Sequence, residues 1–331
     1  MNEVYKTLLN EYEQKRKKAN IELENRKNKL YSDFPELEKL DTSLNKLAIS
    51  SAKALLENKN SDILNNLNSE IENLKNKKLE ILKKNNLPNN FLDLQFECEK
   101  CKDTGYILEN NSSVLCNCFK QKLFNIEYNK SNISNLQNQN FSVFKSTYYA
   151  ETVDKDKYKS DVSPRKNIEF IKKVCLNFIK NFDLPDAKNL LFTGNTGLGK
   201  TFLSSCIANE LIKNGKTVLY QTAPVMLDTI LDYRFGKNTD SNIYNSLLDV
   251  DLLIIDDLGT ECMNNMKFTE LFNILNTRLL NQNNKVTKTI ISTNLNLQNL
   301  FNTYDERIVS RIVGNYDICR FYGEDIRFIK K

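Results

Sequence analysis

The sequence predicts an α/β fold: a five-stranded parallel sheet covered by helices, preceded by a helical N-terminal region and a small cysteine module. Three observations predict it. Residues 194–201 read Gly194-Asn195-Thr196-Gly197-Leu198-Gly199-Lys200-Thr201, a full match to the P-loop pattern G-x-x-x-x-G-K-[ST]. From about residue 165 onward, short apolar runs alternate with amphipathic stretches, the pattern of a parallel sheet buried on both faces. The first 90 or so residues are instead rich in Lys, Glu, Asn and Leu and poor in Gly and Pro.

In that first region Tyr5, Leu9, Tyr12, Ala19, Leu23 and Leu30 recur at a spacing of three to four, interrupted by Arg16 and Arg26. Leu64, Leu67, Ile71, Leu74 and Ile81 do the same, with Lys78 breaking the seam, and Pro35 separates the two stretches. The pattern predicts a helical, partly coiled-coil region over 1–90, either an ordinary bundle or a protein-docking arm. Residues 91–120 hold a cysteine cluster, and 121–160, polar and Asn-rich at first, read as a linker.

The α/β domain is expected over 161–331. A helix at 165–181 leads to a strand at 189–193, and the P-loop follows. The next helix shows Leu203, Ile207 and Leu211 on one face, with Gly215 as its cap. Then come a strand at 217–222, helical stretches at 224–248, an apolar strand at 252–256 and a helix at 267–282. A strand at 289–293, a helix at 297–313 and a last strand at 317–322 complete the set.

Composition narrows the chemistry. Histidine is absent, so no histidine base or ligand exists. The net charge of +5 mildly suits a polyanionic partner. No run approaches 18 apolar residues, and the charged N-terminus does not read as a signal peptide. A cytoplasmic protein without membrane contact is expected, with its eight cysteines reduced or metal-bound.

Three of the nine glycines lie in the P-loop, where backbone N–H groups must turn inward around phosphate. Gly194 through Thr201 therefore predict a site for a nucleoside triphosphate with Mg²⁺. Lys200 reaches the β/γ-phosphates and Thr201 ligates the Mg²⁺. The strand at 252–256 ends in Asp256-Asp257, a Walker B arrangement. Asp256 is expected on Mg²⁺ and Asp257 on the attacking water; the competing reading is two carboxylates opening a turn before Gly259. Asn294, ending the next strand, either holds that water or serves a turn. An arginine of Asp305-Glu306-Arg307-Ile308-Val309-Ser310-Arg311 either completes a neighbour's site or forms a helix salt bridge.

These residues resemble the AAA+ superfamily, in the clade of bacterial initiators and helicase loaders, and within it the DnaC/DnaI type of replicative helicase loader. The IstB-type transposition ATPases also resemble it. GNTGLGKT at 194–201, LLIIDDLG at 252–259, STN at 292–294 and DERIVSRIVGN at 305–315 carry the likeness, which covers about 140–331. It implies sensor 1 at Asn294, an arginine finger at Arg311 with Arg307 as second candidate, and a sensor 2 position at Arg327 within Gly323-Glu324-Asp325-Ile326-Arg327. Asp257 stands where AAA+ proteins usually carry glutamate, which implies slow hydrolysis, stimulated by assembly or DNA. The chain ends four residues after Arg327, leaving little or no helical lid.

Cys98-x-x-Cys101 and Cys116-x-Cys118 can close a Cys₄ site around Zn²⁺; reduced thiols on a hairpin are the alternative. The run CxxCxDTGY is similar to the zinc-bearing module ahead of the ATPase core in Gram-positive loaders. Cys175, Cys206, Cys262 and Cys319 read as buried small apolar residues. The likeness further implies single-stranded DNA as a partner, with Lys216, Tyr233, Arg234 and Lys237 as candidate contacts. It implies a hexameric DnaB-type helicase as the cargo, and self-association through the ATPase domain. An IstB-like helper for a transposase on duplex DNA, or a non-hydrolysing primosome adaptor, are the alternatives.

Overall fold

The computed structural model describes residues 3–56, 61–127, 139–236, 242–262, 264–280 and 285–329. The chain divides into two compact units, Met1–Cys116 and Asn117–Lys331.

The first unit opens with helices α1 (Glu3–Asp33), α2 (Pro35–Leu56) and α3 (Ser61–Lys84). Pro35 takes the first position of α2, where its missing N–H costs nothing. The buried residues of α1 are Leu8, Tyr12, Ala19, Leu23 and Leu30. Leu8, not the expected Leu9, faces inward. With Lys15 and Arg26 it completes a stripe of one residue per turn. Both cations lay their stems along the seam. Lys15 sits over the Tyr12 ring and pairs with Glu97. Arg26 donates to the carbonyls of Phe91 and Asp93 at 3.1 and 3.0 Å. The antiparallel pair α2–α3 closes where Leu37 and Leu82 meet Leu30 and Leu92. Lys78, the break in the α3 seam, is paired with Asp41 at 2.6 Å. A hairpin of β1 (Tyr106–Glu109) and β2 (Ser112–Leu115) follows.

The second unit begins with α4 (Asn117–Glu127), α5 (Lys155–Tyr158) and α6 (Pro164–Lys180). Then come β3 (Asn189–Thr193), α7 (Lys200–Lys213), β4 (Val218–Thr222), α8 (Ala223–Arg234), α9 (Asn242–Asp249) and β5 (Leu252–Leu258). The remaining elements are α10 (Asn265–Leu280), β6 (Lys288–Thr293), α11 (Leu297–Thr303), α12 (Glu306–Asn315) and β7 (Tyr316–Arg320). The strands form one parallel sheet in the order β4-β5-β6-β3-β7. In this order the strand carrying Asn294 at its end lies between the P-loop strand and the Asp256 strand.

Two-residue periodicity divides the strand residues between two cores. Leu190, Phe192, Val218, Tyr220, Leu252, Ile254 and Ile290 pack with α6 and α7. Leu191, Leu219, Leu253, Ile255 and Ile291 pack with α8, α9, α10 and α12. Ser163 caps α6, its side chain accepting the Lys166 N–H, with Pro164 at the first turn. Helix α7 ends in a Schellman arrangement: Gly215 N–H donates to Ile212 O and Lys216 N–H to Leu211 O, each at 2.9 Å.

Three local expectations need correction. Residues 117–127 are helical where a linker was expected to begin at 121. The Gln121 amide explains it, accepting the Val218 N–H at 2.6 Å and donating to the Val218 carbonyl at 3.0 Å. It closes the β4 edge as a neighbouring strand would. The single helix expected over 297–313 is two helices, because Asp305 caps α12 by accepting the Arg307 N–H at 2.8 Å. Cys262 is exposed, whereas Cys175, Cys206 and Cys319 are buried as expected. After β7 the described chain runs through turns, with no further helix. No helix among the described residues is long and apolar enough to cross a membrane.

Candidate functional site

The P-loop joins β3 to α7. Gly194 and Gly197 adopt φ of 138° and 72°, open to glycine but strained for other residues. Space forbids a side chain as well. A Cβ on Gly194 would lie 2.2 Å from the Phe321 carbonyl oxygen, and one on Gly197 2.0 Å from a carboxylate oxygen of Asp325. The loop thus presents bare backbone at the N-terminus of α7, the arrangement that binds phosphate. A cavity of about 620 Å³ opens against Gly194, Asn195 and Asn294.

Lys200 starts α7 and turns back over the loop. Its ammonium donates to the carbonyls of Gly194 and Asn195 at 2.5 and 2.7 Å and to the Asn294 side-chain oxygen at 2.8 Å. Burial lowers its pKa, and the charges of Asp257 and Asp256 oppose that shift. The structure therefore brings Lys200 and Asn294 together across β3 and β6.

Asp256 is 4 % exposed and holds three hydroxyls. Thr201 donates to it at 3.1 Å, and Tyr220 and Ser292 make shorter bonds. A hydroxyl and a carboxylate of hard oxygen character, side by side at the P-loop, fit Mg²⁺. The β5–β6 register shifts between Ile255 and Leu258. This bulge re-aims the two aspartates. Asp257 has φ of 54°, a left-handed conformation that costs a non-glycine residue about 1 kcal/mol or more. Its N–H donates to Ser292 Oγ at 3.2 Å. Burial and the neighbouring Asp256 raise the Asp257 pKa, with Lys200 opposing.

The two arginine candidates lie on α12. Arg311 donates to Asn276 Oδ1 at 2.7 Å and stacks 4.4 Å above the Phe272 ring. Arg307 is exposed and pairs with Asp305 at 2.9 Å. Arg327 is exposed and pairs with Asp325. Its segment docks on the P-loop, where the Ile326 N–H donates to Gly197 O at 3.0 Å.

Three of the DNA candidates fall among the described residues. Lys216 pairs with Asp183 beside the Phe182 ring. Arg234 pairs with both oxygens of Glu270 at 2.9 and 3.3 Å and lies over Tyr244. Tyr233 is half-buried next to it. Lys237 lies outside the described residues.

The Sγ atoms of Cys98, Cys101, Cys116 and Cys118 all lie within 4.8 Å of one another. Zn–S bonds of about 2.3 Å give a tetrahedron with edges of about 3.8 Å. The Cys98–Cys116 separation of 3.9 Å matches that edge, so four thiolates in this arrangement fit Zn²⁺. Asp103, 2 % exposed, accepts the N–H groups of Glu97 and Cys98 at 2.9 Å each.

The sequence reading assigned no role to Tyr220, Ser292, Glu261, Asp103 or Asp325. Ser292, Asp103 and Asp325 had a signal, as members of the runs Ser292-Thr293-Asn294, CxxCxDTGY and Gly323-Glu324-Asp325-Ile326-Arg327. The others act through contacts that no local spacing encodes.

Residues 137–328 match the family described as IstB-like ATP binding protein. The Replicative helicase loader DnaC of Escherichia coli (strain K12) is 29% identical over 140 residues, covering 42% of this chain and 55% of the relative. That of Buchnera aphidicola subsp. Baizongia pistaciae is 31% identical over 147 residues, covering 44% and 56%. A Putative insertion sequence ATP-binding protein, y4pL of Sinorhizobium fredii, is 28% identical over 144 residues, covering 42% and 56%. The chain spans about half the length of the curated relatives it matches. With the family match extending over more than half of its residues, from ahead of the P-loop to the segment docked upon it, the chain belongs to the IstB-like ATP-binding protein family.

Proposed function

We propose that the chain is an ATP-dependent loader that binds a hexameric DnaB-type replicative helicase and delivers it onto single-stranded DNA. The observation that carries the ATP chemistry is the convergence of Lys200, Asn294, Thr201 and Asp256 at the P-loop. The similarity to two proteins named replicative helicase loaders supports the choice of cargo.

In this reading the amides of residues 194–201 and Lys200 bind the triphosphate. Thr201 and Asp256 hold Mg²⁺, which supplies charge neutralisation at the phosphates. Asp257 and Asn294 orient the attacking water. Arg327 exchanges Asp325 for a phosphate oxygen. Arg311, with Arg307 in reserve, leaves its own chain's Asn276 to complete a neighbour's site. The aspartate at 257 keeps turnover slow until assembly or DNA stimulates it, so hydrolysis acts as a timer and binding does the main work.

Residues 1–90 form the helicase-docking region, 91–120 a Zn²⁺ module held by Cys98, Cys101, Cys116 and Cys118, and 161–331 the ATPase domain, against which Gln121 and Tyr149 of the preceding segment pack. Lys216, Tyr233, Arg234 and Lys237 contact single-stranded DNA after the ion pairs of Lys216 and Arg234 open. The protein works in the cytoplasm.

A second reading has support of its own. The family description and the likeness to an insertion-sequence protein favour a transposase helper acting on duplex DNA. A non-hydrolysing adaptor fits less well, since Asp256, Asp257 and Asn294 are all in place. Fluorescence anisotropy with ATP separates the first two. Tighter binding of a single-stranded oligonucleotide than of its duplex supports the loader; preference for the duplex supports the transposition helper. ATP turnover lost in Lys200→Ala excludes the adaptor.

A further inference from the structure

One buried carboxylate near the P-loop has no part in the ATP chemistry proposed above. Glu261 is 8 % exposed, and its two oxygens face two different parts of the domain. Oε2 accepts the Gly259 N–H at 2.9 Å. Oε1 accepts the Tyr304 hydroxyl.

The first bond fixes the turn after β5. Gly259 lies two residues past Asp257, and Thr260 folds back onto the Asp257 carbonyl through its N–H at 3.3 Å and its hydroxyl at 2.8 Å. Glu261 thus clamps the turn that holds Asp257 in its left-handed conformation, a state that persists only where the surroundings over-determine it.

The second bond reaches the arginine helix. Tyr304 is 3 % exposed, packs edge-on against Phe268 and directly precedes Asp305, the cap of α12. Phe268, Phe272 and Asn276 are spaced by four along α10, so one helix face supports both the Tyr304 ring and the Arg311 guanidinium.

We infer that Glu261 and Tyr304 are positioning residues that tie the Asp257 turn to helix α12 of the same chain. The half-site a chain uses itself and the half-site it offers its neighbour are then set together. This rests on the reading of Asp257 as the in-chain group and Arg311 as the group supplied across subunits. Proximity is not coupling, so the test must measure coupling.

Mixed assemblies of full-length chains measure it through ATP turnover. An Asp257→Asn chain offers an arginine but cannot use its own site, and an Arg311→Ala chain does the reverse. Their equal mixture should restore about a quarter of wild-type turnover, because random head-to-tail pairing completes that share of junctions. Tyr304→Phe keeps the ring and loses only the hydroxyl. Alone, it should bind nucleotide normally and turn over about tenfold more slowly, the effect of one lost buried hydrogen bond. Mixed with Asp257→Asn it should recover as Arg311→Ala does; mixed with Arg311→Ala it should not. Glu261→Ala, releasing both ends, should be rescued by neither.

Full turnover by Tyr304→Phe, or equal behaviour with both partners, overturns the tie while the control mixture still recovers. If the control itself fails to recover, the arginine reading falls and the tie with it. Should Tyr304→Phe fail to bind nucleotide, Glu261→Gln, which keeps the Gly259 acceptor, goes through the same mixtures with the same expectation.

Discussion

The Lys200 ammonium and the Asn294 side-chain oxygen are joined at 2.8 Å. The bond links the loop after β3 to the end of β6 and places a donor-bearing amide beside the P-loop lysine. The two residues nevertheless have different tasks. Lys200→Ala should weaken ATP binding by about a hundredfold, the loss of a charge-assisted contact. Asn294→Ala should leave binding within about threefold and slow turnover by about a hundredfold. Titration with a fluorescent ATP analogue beside phosphate-release kinetics separates the two. Equal loss of binding in both variants would make Asn294 a binding residue instead.

Asp257 makes turnover and stability respond oppositely to pH. Burial and Asp256 raise its pKa in the folded chain. The folded state then binds more protons than the unfolded state just above the ordinary carboxylate range. Its contribution to stability therefore falls as pH rises through that window. In its proposed role on the attacking water Asp257 acts as the carboxylate, so turnover should rise through the same window. A rate profile at saturating ATP should show this limb, and Asp257→Asn should lose it. A rising limb unchanged in Asp257→Asn assigns the titration to another group.

Gly197 is crowded by the carboxylate of Asp325. Gly197→Ala combines a φ of 72° with that clash and should cost about 1–3 kcal/mol. Adding Asp325→Ala removes the clash but not the backbone strain, so part of the loss should return. Thermal unfolding of the two variants checks it. No recovery in the double variant would mean that the Asp325 segment does not press on the loop.

The four-cysteine cluster should bind one Zn²⁺ per chain, read by elemental analysis of protein purified without added metal. Cys116→Ser should lower the content to near zero. Asp103→Asn should keep the ligands but loosen the Cys98 turn, lowering zinc affinity by about 10–100-fold in a chelator competition. Unchanged zinc content in Cys116→Ser would exclude the site.

Much of the ATP-site architecture was legible because phosphate chemistry restricts local sequence. Strand Asn189–Thr193 falls where the apolar run before the P-loop placed it, and Gly215 stands in the cap position expected of it. Asn294 was legible as the polar residue after a buried strand, whereas β5 runs two residues past Asp256, the strand end the sequence suggests, because its register shifts between Ile255 and Leu258. Contacts between distant residues were not. The Glu261–Tyr304 bond spans 43 positions, and nothing in the spacing of either residue signals the other. Gln121 hid a helix because its amide replaces backbone pairing that polar composition alone reads as linker. Leu8 and Leu9 both fit a three-to-four spacing between Tyr5 and Tyr12, so spacing alone does not select the buried Leu8, and Arg26 extends the α1 stripe where its charge reads as a break.

The central claim is that this chain grips a replicative helicase. Mass photometry of the full-length protein mixed with the hexameric helicase of its own cell, with and without ATP, tests it most directly. A defined particle of one hexamer with several copies of this chain, lost when residues 1–120 are removed, is the predicted result. No such particle in either condition, with the chain coating duplex DNA in the presence of ATP, would contradict the loader reading and favour the transposition helper.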